Sequence, residues 1–180
     1  AAAAPGFCRI ILQNFPDLRG PVPSVDALTV LLVDADTPNA LRLARLLRAQ
    51  RAPTFRITTV PDVDAAAARL EDAAVDVILL NLAACGMAGM AAFTLLRTWA
   101  PAIPIIVMER AAGEAAALRA VQQGAADCLI LENLHETLLV RSIRFALERR
   151  DVEAQRRRAE QALRESERRY RALFEQIRDA

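Results

Sequence analysis

Between Ala27 and Asn133 the chain alternates short apolar runs with longer stretches in which apolar residues recur every three or four positions. The runs "ALTVLLVD", "TFRITTV", "VDVILLN", "IPIIVM" and "DCLI" predict strands, most of them continuous enough to be buried on both faces of a sheet. Between them, "TPNALRLARLLRAQ", "DVDAAAARLED", "MAAFTLLRTWA" and "GEAAALRAVQQG" predict amphipathic helices, and a last helix is expected to begin near Asn133. In the first helix Leu41, Ala44 and Leu47 share one face, with Thr37 as the expected N-cap and Pro38 in the first turn. Five strands alternating with helices imply a parallel sheet covered on both sides, and right-handed crossovers make it doubly wound α/β. Working groups in such sheets gather beyond the carboxyl ends of the strands. Asp34, Asn81 and Glu109 stand there.

Composition narrows the picture. A chain of 180 residues that is 54% apolar can bury one sizeable core and leave extensions over. A net charge of +1 gives no global field for nucleic acid or membrane, and no apolar run is long enough to span a bilayer. Every basic residue except His135 is arginine; lysine is absent. Cys8, Cys85 and Cys128 form an odd set without metal or redox spacing, which fits a reducing, cytoplasmic compartment better than a disulfide framework. Residues 1–27, rich in Pro and Gly, read as a disordered or tag-like extension in which "CRIIL" is a strand or an adhesive tail.

The candidate chemistry is sparse. Asp34 and Asp36 offer two carboxylates near one strand end, able to attract a cation, although Asp36 is placed to cap the following helix. Asn81 is neither acid, base nor nucleophile. Cys85 has no nearby His or partner Cys and reads as a packing residue, and Gly86 with Gly89 make a turn rather than a phosphate cradle. His135 reads as a surface residue near a helix start. No metal and no cofactor are expected.

The segments "VLLVDAD", "DVILLNLAACGMAGM", "PIIVMER" and "GAADCLIL", in that order and at normal element lengths, resemble the receiver domain of two-component signalling over residues 28–150. The resemblance implies a phosphoryl-accepting aspartate after the third strand, an acidic pair holding Mg²⁺ after the first, a hydroxyl after the fourth, and a lysine and an aromatic relay on the fifth. Matched position by position, the nucleophile is Asn81, the acidic pair is Asp34 with Ala35, the hydroxyl is Glu109, the lysine is Leu131 followed by Glu132, and the aromatic is Cys128. These departures imply a degenerate receiver without phosphoryl chemistry. Glu109 then reads either as a solvated loop carboxylate near Arg110 or as a fixed charge imitating the phosphorylated state.

Beyond "LLVRSIRFALERR" the helical pattern continues through residues 151–180 without Pro or Gly. Phe145, Arg149, Val152, Arg156, Ala159, Leu163, Ser166, Tyr170, Leu173 and Ile177 alternate spacings of four and three, the seam of a coiled coil interrupted by two arginines and a serine. The arginine run at 156–158 is interleaved with glutamates, which favours a salt-bridged exposed face over a nucleic-acid site. "EQALRESERRYRALFEQIRDA" resembles the lead-in to a PAS sensory domain, and the layout is similar to that of bacterial proteins of cyclic-di-GMP turnover and of histidine kinases. The expectation is therefore a non-enzymatic module that homodimerises through its last helix and contacts other signalling proteins. The alternatives are a domain binding a small ligand or cation near Asp34 and Asn81, the receiver of a hybrid histidine kinase, and a phosphoacceptor using Asp34 or Asp36.

Overall fold

In the computed structural model the described residues are 27–50, 53–84 and 89–178, with the side chains of residues 170 and 172–178 set aside. Cys8, Cys85, Gly86 and the N-terminal extension lie outside them. Strands β1 (Leu28–Val33), β2 (Phe55–Val60), β3 (Val77–Asn81), β4 (Ile105–Glu109) and β5 (Asp127–Ile130) alternate with helices α1 (Thr37–Arg48), α2 (Val63–Asp72), α3 (Gly89–Trp99), α4 (Glu114–Gln122) and α5 (Glu136–Arg178). All strand pairs are parallel, in the order β2-β1-β3-β4-β5. This is the flavodoxin-like doubly wound architecture expected from the sequence, with its topological switch between β1 and β3.

Burial follows position in the sheet. Central strands β3 and β4 are buried at every residue, which is why they read as unbroken apolar runs. Edge strand β2 exposes Arg56 and Thr59, and its sequence is correspondingly mixed. One face of the sheet packs Leu31, Ile78, Leu80 and Val107 against α2, α3 and α4 through residues such as Ala66, Phe93 and Ala120. The other packs Val30, Leu32, Leu79 and Met108 against Leu43 and Leu47 of α1 and Leu139, Ile143 and Leu147 of α5. Each fully buried aliphatic or aromatic side chain contributes roughly 1.5–3 kcal/mol.

Two helix starts differ from the Thr37 cap and the Asn133 start expected, while the capping role expected of Asp36 is seen. Asp36, not Thr37, caps α1: its carboxylate accepts the Asn39 N–H at 3.3 Å, and Thr37 is already helical. The last helix begins at Glu136 rather than near Asn133, because a 3-10 turn over Leu131–Asn133 comes first. His135 is exposed, as expected, and its carbonyl accepts the Leu139 N–H at 3.1 Å. Among the described residues no helix is long and apolar enough to cross a membrane.

Candidate functional site at the carboxyl edge of the sheet

Asp34 and Asn81 extend β1 and β3 to the switch point, and their side chains meet there, 3% and 2% exposed. A buried carboxylate is costly unless its oxygens are satisfied. At Asp34 they are: Oδ1 accepts the Asn81 Nδ2–H at 3.0 Å and the Asp36 N–H at 2.9 Å, and Oδ2 accepts the Asn39 Nδ2–H at 2.6 Å. Asn81 uses its other end as well, since its Oδ1 accepts the Ala83 N–H at 3.1 Å. An amide suits this place because it both donates and accepts; a carboxylate at position 81 would set two anions about 3 Å apart. Ala35 is exposed and contributes only its N–H, donated to the Ala84 carbonyl at 3.1 Å.

The network continues outward through α1. Arg42 donates from Nη2 to Asn39 Oδ1 at 3.1 Å and to the Leu131 carbonyl at 3.1 Å, and from Nη1 to the Leu134 carbonyl at 3.4 Å. A guanidinium nearly two helical turns beyond the N-cap therefore ties the Asp34–Asn39 pair to the turn that leads into α5. Leu131 itself turns its side chain to the apolar face beneath α1 and α5. Cys128, on β5, packs partly buried on the opposite face.

Glu109 differs from the solvated loop residue that was one of its two readings. It is the last residue of β4, 7% exposed, and its Oε1 accepts the Arg110 N–H at 2.8 Å. Its side chain lies so close to Gly113 that a Cβ there would stand 2.4 Å from Glu109 Cδ. The Arg110 guanidinium turns instead to Glu132, at 3.6 Å, whose Oε2 also accepts the Ala111 N–H at 3.0 Å. The Glu132 carboxyl is held below its ordinary value, first by a hydrogen bond from its own backbone N–H and then by Ala111 and Arg110, with desolvation opposing.

Of the predicted site residues, the structure thus joins Asp34 to Asn81 and leaves Glu109 and Leu131 on neighbouring strand ends with partners of their own. Sequence reading missed Asn39 and Arg42, and the one available signal was their placement three and six residues after Asp36 on a single helix face. Along α5, Phe145, Val152 and Leu163 are 43%, 64% and 61% exposed, and Ala159 is exposed too. The Tyr170, Leu173 and Ile177 side chains fall outside the described ones. No group of three His, Cys, Asp or Glu able to hold a metal occurs among the described residues.

Residues 30–144 match the family model of the response regulator receiver domain. No curated protein matches the chain. Among solved structures it is similar to NtrX from Brucella abortus in complex with ADP, with a TM-score of 0.64 and 21% identity over 72% of this chain and 28% of that one. It is likewise similar to a receiver domain protein from Clostridium thermocellum, with a TM-score of 0.62 and 16% identity over 69% and 98% of the two chains. The receiver domain of a putative LuxO repressor protein from Vibrio parahaemolyticus gives 0.61 and 22% over 72% and 96%. The chain therefore spans less than a third of NtrX and most of the isolated receiver domains.

Proposed function

Because this chain belongs to the response regulator receiver domain family, we propose that it is a receiver of two-component signalling that has given up phosphoryl transfer and works through shape and self-association. The observation that carries this reading is the Asn81–Asp34 hydrogen bond of 3.0 Å. An amide nitrogen occupies the position from which a carboxylate would attack phosphorus, and it donates to the acid meant to help hold the metal. The donor set does not suit Mg²⁺ either. Both Asp34 oxygens already accept N–H groups, the second acidic position is Ala35, and a small hard cation demands several oxygen ligands in near-octahedral array. The same saturation counts against the alternative of a small ligand or cation in this pocket, and against Asp34 as a substitute phosphoacceptor.

On this reading the module is not an enzyme. Its message leaves through α5, whose exposed Val152, Ala159 and Leu163 form a homodimer seam and whose far end leads towards a PAS domain of a longer bacterial signalling protein. Incubation with acetyl phosphate and Mg²⁺ followed by intact-mass measurement tests the chemical half. The unmodified mass is expected, and a phosphoryl adduct on any carboxylate overturns the reading.

A further inference from the structure

At the opposite, amino-terminal edge of the sheet a groove of about 560 Å³ opens between the end of α3, the loop into β4, the α4–β5 turn and the middle of α5. Its charged lining is Arg97, Arg149, Arg150 and Arg157 against a single Glu153. Two of these arginines are committed: Arg150 to Asp76 and Asp151, at 3.8 and 3.0 Å, and Arg149 to Glu153 at 3.7 Å. Arg97 and Arg157 have no carboxylate partner among the described residues.

Arg97 is nonetheless placed. Its guanidinium lies 6.0 Å from the Phe93 ring centroid and crosses the α4–β5 turn at Gly124. Gly124 has a φ of +102°, and a Cβ there would stand 2.8 Å from Arg97 Nη1, so glycine both permits the turn and leaves the arginine its room. Arg157 faces the groove from the other wall, eleven residues beyond Ala146 along the same stripe of α5. Between the arginines the floor is apolar: Ile103, Pro104 and Ala126.

We propose that this groove binds a phosphate ester of nucleotide size, its phosphoryl oxygens held by Arg97 and Arg157 and its flat body on the Ile103–Pro104 floor. Guanidinium forks match phosphoryl oxygens in pairs, and the volume lies within the few hundred to about 1,000 Å³ typical of small-molecule sites. An extended acidic peptide would need a longer track than a groove of about 560 Å³ offers.

Metal-free GTP titrated into the full chain and followed by calorimetry is expected to bind saturably and more tightly than inorganic tripolyphosphate. Arg157→Glu and Arg97→Gln are each expected to weaken binding by about tenfold or more, whereas Arg168→Glu, outside the groove on the same helix, leaves it unchanged. Circular dichroism of each variant separates lost binding from lost folding. The proposal is overturned by no saturable GTP binding, by tripolyphosphate binding equally well, by groove variants that fold and bind like the parent, or by a decaglutamate peptide binding where GTP does not.

Discussion

Asn81 illustrates how a single atom changes a site. Replacing it with Asp removes the donor that Asp34 Oδ1 accepts at 3.0 Å and sets a second anion in its place, in a pocket where neither side chain is more than 3% exposed. Asn81→Asp is therefore expected to lower stability at neutral pH by about 1–3 kcal/mol, with part of the loss recovered on acidification; urea denaturation at two pH values checks this. Gly113 makes a second residue-scale case. Gly113→Ala drives a methyl into the Glu109 side chain and should cost about 1–3 kcal/mol by overpacking, while in the Glu109→Ala background the same change should cost far less. Glu132 supplies a pH-dependent one. Its folded value is depressed, so its tie to Ala111 and Arg110 is in force above the ordinary carboxylate value of 4.5 and is lost as pH falls through the lowered one. Amide exchange at Ala111 should be slower in the parent than in Glu132→Gln at neutral pH, and the two should converge in acid. The identities of Asp34 and Asn81, and their place at strand ends, were legible in the sequence. That Glu109 is buried was not, because the room its side chain occupies depends on position 113, four residues on, lacking a Cβ, which hydropathy does not register.

At the scale of elements, hydropathy carried most of the information, since β1, β3 and β4 are buried along the apolar runs that predicted them. Leu41, expected on the apolar face of α1 with Ala44 and Leu47, is however 53% exposed, and Ala40 and Leu43 take its place. The misread boundaries were local. Asp36 outcompetes Thr37 as a cap because its carboxylate reaches the Asn39 N–H, and the start of α5 is delayed by a turn that periodicity does not register. What fixes α5 to the sheet was also hidden, because it is polar and non-local. Buried Ser142 donates to Asp127 Oδ2 at 2.6 Å, and Arg150 reaches the Asp76 carbonyl at 3.3 Å while Asp76 Oδ2 accepts the Thr29 N–H at 2.8 Å. Ser142→Ala should cost about 1–2 kcal/mol because a carboxylate oxygen is left unmatched beneath the helix. Arg150→Ala should cost less than about 1 kcal/mol, since the residue is a third exposed and water replaces much of what it gives. Comparing the two by urea denaturation shows which anchor holds the helix.

For the whole molecule the decisive element is α5, which at 43 residues is about 65 Å long and packs on the domain only through its first turns. From Val152 onward the described side chains are almost all exposed, and a helix of that length with an exposed apolar seam is stable mainly when a second helix covers it. The two arginines in the seam look like an obstacle, yet Arg149 pairs with Glu153 at 3.7 Å and Arg156 with Glu160 at 2.7 Å, i to i+4 on their own helix. Those pairs hold the guanidinium heads on their own helix and leave the aliphatic stems to pack, so on the proposed reading the arginines would weaken a dimer without forbidding it. On the proposed reading, a seam of this kind would give a dimer that responds to concentration and to small changes at its root, where Arg42 links the Asp34 network to the Leu131 and Leu134 carbonyls just ahead of α5. Light scattering should find the full chain dimeric, a chain ending at residue 150 monomeric, and Leu163→Arg shifted towards monomer with the α/β domain intact. A shortened chain that stays dimeric would move the contact onto the receiver faces and remove α5 from the signalling route.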